Sequence, residues 1–224
     1  MPQAVENLFS DSAITLLKQN CPSFSELEVD KKQYVYHQGE QQASIFWVAE
    51  GFVRQASVSE AGDEMTTAFL RKGGVFGVFQ SEDSVVTEES IQAWPNVRVC
   101  FVRTDEMRDL FLDYPKMAWQ LIQRISAQKQ HTERRLQSIF SQKVDVRVLE
   151  TLCELVHFSS KRCNHGFSLE LMMTQQDLAD FVGASRPVVS TILNKLKKQG
   201  LLAYVEDRIC VYDEALFAYR ISQN

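Results

Sequence analysis

Thr174-Gln-Gln-Asp-Leu-Ala-Asp-Phe-Val-Gly-Ala-Ser-Arg-Pro-Val-Val-Ser-Thr-Ile-Leu193 decides the fold, because each position carries a local requirement. Thr174 is a good N-cap, and Asp177 three residues later completes a capping-box-like start. Leu178, Val182, Val189 and Ile192 fall at helical spacing and would form a core between two short helices. Ala179 is small where those helices must approach. Gly183 stands where the turn needs a positive φ, which glycine accepts without steric cost. Ser185 caps the second helix, and Pro187 lies in its first turn, where proline is tolerated. The pattern predicts a helix-turn-helix. A plain helical hairpin inside a core would leave no reason for Arg186, Ser190, Thr191 and Asn194 to form a polar face. Leu201 to Val205 and Arg208 to Tyr212, turning at Glu206-Asp207, add a hairpin and make the motif winged.

A second helix of this kind lies in a major groove with its N-terminal residues at base edges. Arg186 is the best base reader, since its guanidinium pairs bidentately with guanine O6 and N7. Ser185, Pro187, Ser190, Thr191 and Asn194 share its surroundings. Thr174, Gln175 and Gln176 offer backbone N–H groups and amides to a phosphate, and Arg208 is a further backbone contact. The net charge of −5 does not oppose this reading. From Lys143 onward ten basic side chains balance ten acidic ones, and the whole deficit sits in the first 142 residues. DNA binding needs a local basic face, to which Lys195, Lys197 and Lys198 contribute.

Upstream, Val144 to Phe158 reads as an amphipathic helix with Val148, Leu149, Leu152, Cys153 and Val156 on its apolar face. Ser159 to Gly166 reads as a polar loop and Phe167 to Leu171 as a strand. Tyr114 to Phe140 contains no glycine, and Pro115 stands at its start, so one long helix is expected. Ile122, Ile125, Lys129, Thr132, Leu136 and Ile139 recur at threes and fours, the seam of a parallel dimer. The competing use of that helix is packing on its own domain, with Trp119 and Leu121 on that face. From about Phe24 to Arg103, short β-rich runs are broken by Gln38-Gly39-Glu40, Glu50-Gly51, Glu60 to Glu64, Gly73-Gly74 and Gly77. Such spacing indicates a small barrel or sandwich. The division is therefore 1–113, a β-roll of the sensor type; 114–141, a dimerisation helix; and 142–224, a winged helix-turn-helix.

The class is α+β: a cyclic-nucleotide-binding-like β-roll, a long dimerisation helix and a C-terminal winged helix-turn-helix. This order, with residues 174 to 212 in particular, resembles the cAMP receptor protein and FNR family of bacterial transcription regulators. Ile45-Phe46-Trp47-Val48-Ala49-Glu50-Gly51 resembles the family's first roll strands, Gly73-Gly74-Val75-Phe76-Gly77 its pocket turn, and Gly183-Ala184-Ser185-Arg186 its recognition turn. Glu60 to Thr66 with Phe76-Gly77-Val78 is most similar to the cyanobacterial nitrogen-regulator branch. The resemblance implies a homodimer on a palindromic operator in double-stranded DNA, with RNA polymerase as a further partner.

It also implies an effector pocket, with candidates Phe76, Gly77, Val78, Phe79, Gln128, Thr132 and Glu133. The family's cyclic-nucleotide binders follow the pocket turn with an acidic residue and later hold the phosphate with an Arg-Ser pair. Here Val78 and Phe79 follow, and the later stretch is Val86-Thr87-Glu88-Glu89-Ser90. Carboxylates in that place repel a phosphate, so cAMP is not expected. The arginines that hold 2-oxoglutarate in the nitrogen-regulator branch would lie near Thr87 and Gln128 and are absent, although Glu133 matches. The haem ligands of the carbon-monoxide-sensing branch fall near Gly77 and Phe79, which cannot ligate. The four-cysteine iron–sulfur sensor of FNR proteins is reduced to Cys21. In the reader, Pro187 replaces a glutamate common in the family and Thr191 a common second arginine, so the operator should differ from the best-known one.

Other classes are disfavoured. No catalytic motif of the HExxH, GxSxG or phosphate-loop type occurs. His157, Cys163 and His165 are close in sequence, but three residues in a polar stretch are a weak metal signal, and no metal is expected. The remaining alternative is a protein-interaction module or sensor using the roll and the coiled coil. Five widely spaced cysteines fit reduced thiols. Met1 to Asn20 lacks the pattern of a secretory signal and no run is long enough to span a bilayer, so the chain is expected in the cytoplasm.

Overall fold

A computed structural model describes residues 10–62, 64–80, 84–94, 96–163, 166–169, 174–205 and 208–212, with side chains for all of these except 11, 157–163, 204–205 and 208. The chain divides into two compact units, Met1–Thr132 and Glu133–Asn224.

The first unit opens with helix α1 (Asp11–Asn20), capped by the Ser10 hydroxyl, which accepts from the Ala13 N–H. Ten strands follow: β1 (Ser25–Val29), β2 (Tyr34–Tyr36), β3 (Gln41–Gln42), β4 (Ser44–Glu50), β5 (Phe52–Val58), β6 (Glu64–Arg71), β7 (Val75–Gly77), β8 (Val85–Val86), β9 (Ser90–Ala93) and β10 (Val97–Arg103). Helix α2 (Thr104–Asp113) and the long α3 (Pro115–Ser141) come next. The strands form two four-stranded sheets, β1-β10-β4-β7 and β2-β9-β5-β6, with the β3-β8 ribbon beside them. All pairings are antiparallel.

Strand alternation builds two cores back to back. Phe46 and Val48 of β4, Phe76 of β7 and Val97 and Val99 of β10 point into the roll. There they meet Tyr36, Val53, Leu70, Ile91 and Ala93 of the other sheet. The intervening residues Ile45, Trp47, Val75, Cys100 and Val102 face outward, where Ala13, Leu17, Met107, Leu110, Met117 and Leu121 of the three helices cover them. The sheet is thus buried on both faces, which explains why Ile45-Phe46-Trp47-Val48 is apolar without a break. Cys21 and Cys100 belong to the helix-covered side, and burial pushes each thiol up to about 11, with the Glu106 charge adding at Cys21.

The helical expectation around Trp119 is corrected. Leu121 is buried, but Trp119 is 61% exposed. Two residues along a helix turn it by about 200°, so the pair cannot share a face. The packed face is Met117 and Leu121, continued by Arg124 and Gln128.

The second unit takes the tail of α3 and adds α4 (Val144–Ser159), β11 (Ser160–Cys163), β12 (Gly166–Leu169), α5 (Gln175–Val182), α6 (Arg186–Lys198), β13 (Leu202–Val205) and β14 (Arg208–Val211). Its sheet runs β11-β12-β14-β13, all antiparallel. Ser160–Cys163, expected to be loop, is a strand paired residue for residue with Gly166–Leu169. Its polar composition hides the pairing, since an edge strand needs only a partner's backbone. The β13-β14 hairpin is the expected wing, although its turn at Glu206-Asp207 lies outside the described residues.

Candidate nucleic-acid interface

Helix α5 begins with a complete capping box. The Thr174 hydroxyl accepts from the Asp177 N–H at 3.1 Å, and the Asp177 carboxylate accepts from the Thr174 N–H at 2.7 Å. The helix ends at Gly183, in the left-handed region with φ 64°, whose N–H donates back to Ala179 O. A β-branched residue there would be strained by that φ alone. Ile139, from the end of α3, packs 3.6 Å from where a Gly183 Cβ would stand. Ile139, half-buried, therefore packs against the turn within the single chain.

Ser185 precedes α6 in extended conformation, and its hydroxyl makes no capping bond to the helix. Pro187 stands in the first turn. The core between the two helices is Leu178, Ala179, Phe181 and Val182 against Val189, Leu193 and Leu196. Ile192 was expected in this set but is only half-buried, because 189, 193 and 196 complete the inward stripe of α6. The outward face carries Arg186, Pro187, Val188, Thr191, Asn194, Lys195 and Lys198, all exposed. Among the described residues Arg186 and Asn194 make no polar contact, so their donors are available to a partner. Gln176 is exposed with its amide on Asp180, Gln175 and Ser190 are half-buried, and the Thr191 hydroxyl donates to Pro187 O at 2.9 Å. The Arg208 side chain lies outside the described residues, as do His165 and the side chains of His157 and Cys163. Among the described residues no group of three or more His, Cys, Asp or Glu could hold a metal ion.

Two arginines absent from the sequence expectations hold the turn. Phe181, Val182 and Gly183 present successive carbonyl groups at the end of α5, and a guanidinium takes each. Arg135 of α3 donates to Phe181 O through Nε at 3.1 Å and through Nη2, and lies over the Phe181 ring, 3.8 Å from its centroid. Burial lowers its pKa to about 10, which still leaves it charged at neutral pH. Arg147 of α4 donates to Val182 O at 2.8 Å and Gly183 O at 3.1 Å. Its Nη1 also reaches Ile139 O at 3.1 Å and Gln142 O at 2.8 Å. One cation thus satisfies the carbonyls at two helix ends, where the dipole also favours positive charge. Neither arginine has a local sequence signature, because its acceptors are backbone atoms far along the chain.

In the first unit, the pocket candidates stand as follows. Phe76 stacks on Phe46 (5.3 Å), Phe46 on Phe101 (5.1 Å), and the Tyr36 ring closes on Phe46 and Phe76. Gly77 has φ 94°, and a Cβ there would meet Ser44 O at 2.5 Å and the Phe46 ring at 2.8 Å, so no other residue fits. Val78 is buried, while Phe79 is exposed. Gln128 is held on the Val75 backbone: its carbonyl accepts from Val75 N–H and its amide donates to Val75 O, both at 2.9 Å. The Thr132 hydroxyl bonds back to Gln128 O, and Glu133 falls in the second unit. Beside Gln128, Arg124 donates to Gly73 O and Lys72 O, which ties α3 to the pocket turn. Of the paired carboxylates, Glu88 is exposed, but Glu89 accepts from the Tyr36 hydroxyl at 2.8 Å. Burial and that carboxylate raise the Tyr36 pKa strongly.

A family model described as Crp-like helix-turn-helix domain matches residues 146–218, and one described as cyclic nucleotide-binding domain matches residues 26–114. The chain belongs to the CRP/FNR family. It is a DNA-binding transcription regulator of that family, whose members are regulators rather than enzymes. The global nitrogen regulator of Synechococcus elongatus is 22% identical over 197 residues, 87% of this chain and 89% of that protein. The cAMP-activated global transcriptional regulator CRP of Pasteurella multocida is 25% identical over 182 residues, 81% of this chain and 87% of that one. A CRP-family transcriptional regulator from Thermus thermophilus superposes with a TM-score of 0.76 at 19% identity, covering 87% of this chain and 96% of the other. FixK2 of Bradyrhizobium japonicum does so at 0.73 and 21%, covering 87% of this chain and 96% of its own. As a CRP/FNR chain it has the expected α+β order of β-domain, long helix and helix-turn-helix. No described helix is long and apolar enough to cross a membrane.

Proposed function

We propose that this regulator binds a palindromic operator as a homodimer and is competent to do so without a small-molecule effector. The observation that carries DNA reading is Arg186, exposed at the start of α6 with no polar partner among the described residues, on a helix whose turn is rigidly held. Two such helices about 34 Å apart would enter successive major grooves. Thr174, Gln175 and Gln176, with Arg208 of the wing, would then contact phosphates, with RNA polymerase as the protein partner on the promoter. Effector independence is supported by the roll interior. Tyr36, Phe46, Phe76 and Phe101 fill it, and Glu89 sits on the Tyr36 hydroxyl in the part of the pocket where relatives hold a phosphate. A second anion there meets a carboxylate instead of a cation, so cyclic nucleotide does not fit, and the Gln128 amide is held on the Val75 backbone by two hydrogen bonds. Titration of ligand-stripped protein against its palindrome is expected to give a Kd in the range of about 10⁻⁸ M or tighter. Binding that appears only on adding cell metabolites would refute effector independence.

Ile122, Ile125 and Leu136 are exposed on the single chain, 54%, 37% and 54% respectively. Apolar residues at heptad spacing left in water are what a partner helix covers. Leu136→Lys is expected to shift the protein to monomer at micromolar concentration in sedimentation velocity, whereas Lys129→Leu should tighten the dimer. A monomeric wild type would remove the helix from this role.

A further inference from the structure

The first turn and a half of α6 shows an unequal distribution of chemistry. Pro187, Val188 and Thr191 share one exposed side, at i, i+1 and i+4 of the helix. Val188 is 42% exposed. A single exposed valine is ordinary on any surface, but here its neighbours are apolar as well. Pro187 offers only a ring. The Thr191 hydroxyl spends its one hydrogen on Pro187 O at 2.9 Å, so it offers a partner its methyl and acceptor lone pairs but no donor. This patch has Arg186 on one side and Asn194 and Lys195 on the other, an apolar island within a face suited to DNA.

Resting on the reading that α6 enters the major groove, we propose that Pro187, Val188 and Thr191 select thymine by its C5-methyl group. Thymine is the only base that presents an apolar group on the major-groove edge. Beneath Pro187 and Val188, a guanine or adenine acceptor or a cytosine amine would lose water and gain no hydrogen bond. Thymine also carries the O4 acceptor, but it alone gains methyl contact in return. Cα atoms 186 and 191 are about 7 Å apart along the axis, roughly two base-pair steps. Each half-site should therefore hold a guanine under Arg186 with one or more thymines within about two base pairs of it. An apolar patch this small, flanked by cations, suits a polyanion with methyl groups better than another protein surface.

The test uses the full chain and the duplex it selects from random DNA. Each thymine of the half-site is replaced in turn by deoxyuridine, which removes only the methyl. At one or two symmetric positions binding should weaken about 3- to 10-fold per methyl. Val188→Ala should lose most of the difference between thymine and uracil duplexes, and Thr191→Ser, which keeps the hydroxyl, should lose part of it. All three positions are exposed, so the variants should fold, and circular dichroism checks this. Uracil tolerated at every position overturns thymine selection while leaving DNA binding intact, as does a uracil penalty undiminished in Val188→Ala. Failure to enrich any duplex overturns both the DNA-binding reading and this one.

Discussion

Replacing Arg186 by alanine is expected to remove most of the distinction between operator and random DNA while leaving dimer and fold unchanged. A bidentate arginine–guanine pair contributes about 1–3 kcal/mol of discrimination. A two-fold operator contains it twice, so the variant should lose roughly 30-fold to 10⁴-fold in operator affinity. Nonspecific binding depends on phosphate neutralisation and should fall far less. Lysine keeps the charge but not the planar fork, so Arg186→Lys should recover only part of the loss. Fluorescence anisotropy on operator and scrambled duplexes measures both quantities. Equal affinity of wild type and Arg186→Ala for the operator would overturn Arg186 as the base reader.

Replacing Arg147 by methionine is expected to loosen the whole reader, although the residue lies outside it. The substitution keeps much of the apolar stem and removes donors to Ile139, Gln142, Val182 and Gly183 carbonyls. Buried carbonyls left without donors cost about 1–3 kcal/mol each, and partial rehydration reduces the sum to roughly 3–5 kcal/mol. Hydrogen exchange should show it locally, as a loss of about 10²- to 10³-fold in protection for amides of α5 and α6. Peptides of the β-roll should exchange as in the wild type, because its cores contain no residue of the second unit. Unchanged exchange in α5 and α6 would show that Arg147 does not hold the turn. Operator affinity should fall with protection, since base reading needs the first turn of α6 fixed to within about an ångström.

The reader was legible because its requirements are local. Thr174 with Asp177, a glycine at 183 and a proline at 187 each state a backbone condition within four residues, and the structure meets all of them. The strands were legible for the same reason, since Phe52–Val58 and Val97–Arg103 alternate between punctuating turns. What could not be read depended on distant partners. Arg147 looks like an ordinary charged residue between two valines until four backbone carbonyls from two helix ends converge on it. Ser160–Cys163 is polar enough to pass for a loop, and only β12 makes it a strand. Glu89 was legible as a charge that would repel an anion, but its bond to the Tyr36 hydroxyl was not. The heptad spacing of Ile139 was legible, but its contact with the turn at Gly183 was not.

Effector-free operator reading by a dimer is tested most directly by selection from random duplex DNA, using full-length protein stripped of bound small molecules. A two-fold palindrome should be enriched with no metabolite added. Its half-sites should lie about one helical turn apart, each with a guanine close to thymine. No enrichment, or enrichment of a site without two-fold symmetry, would contradict effector-free reading by a dimer.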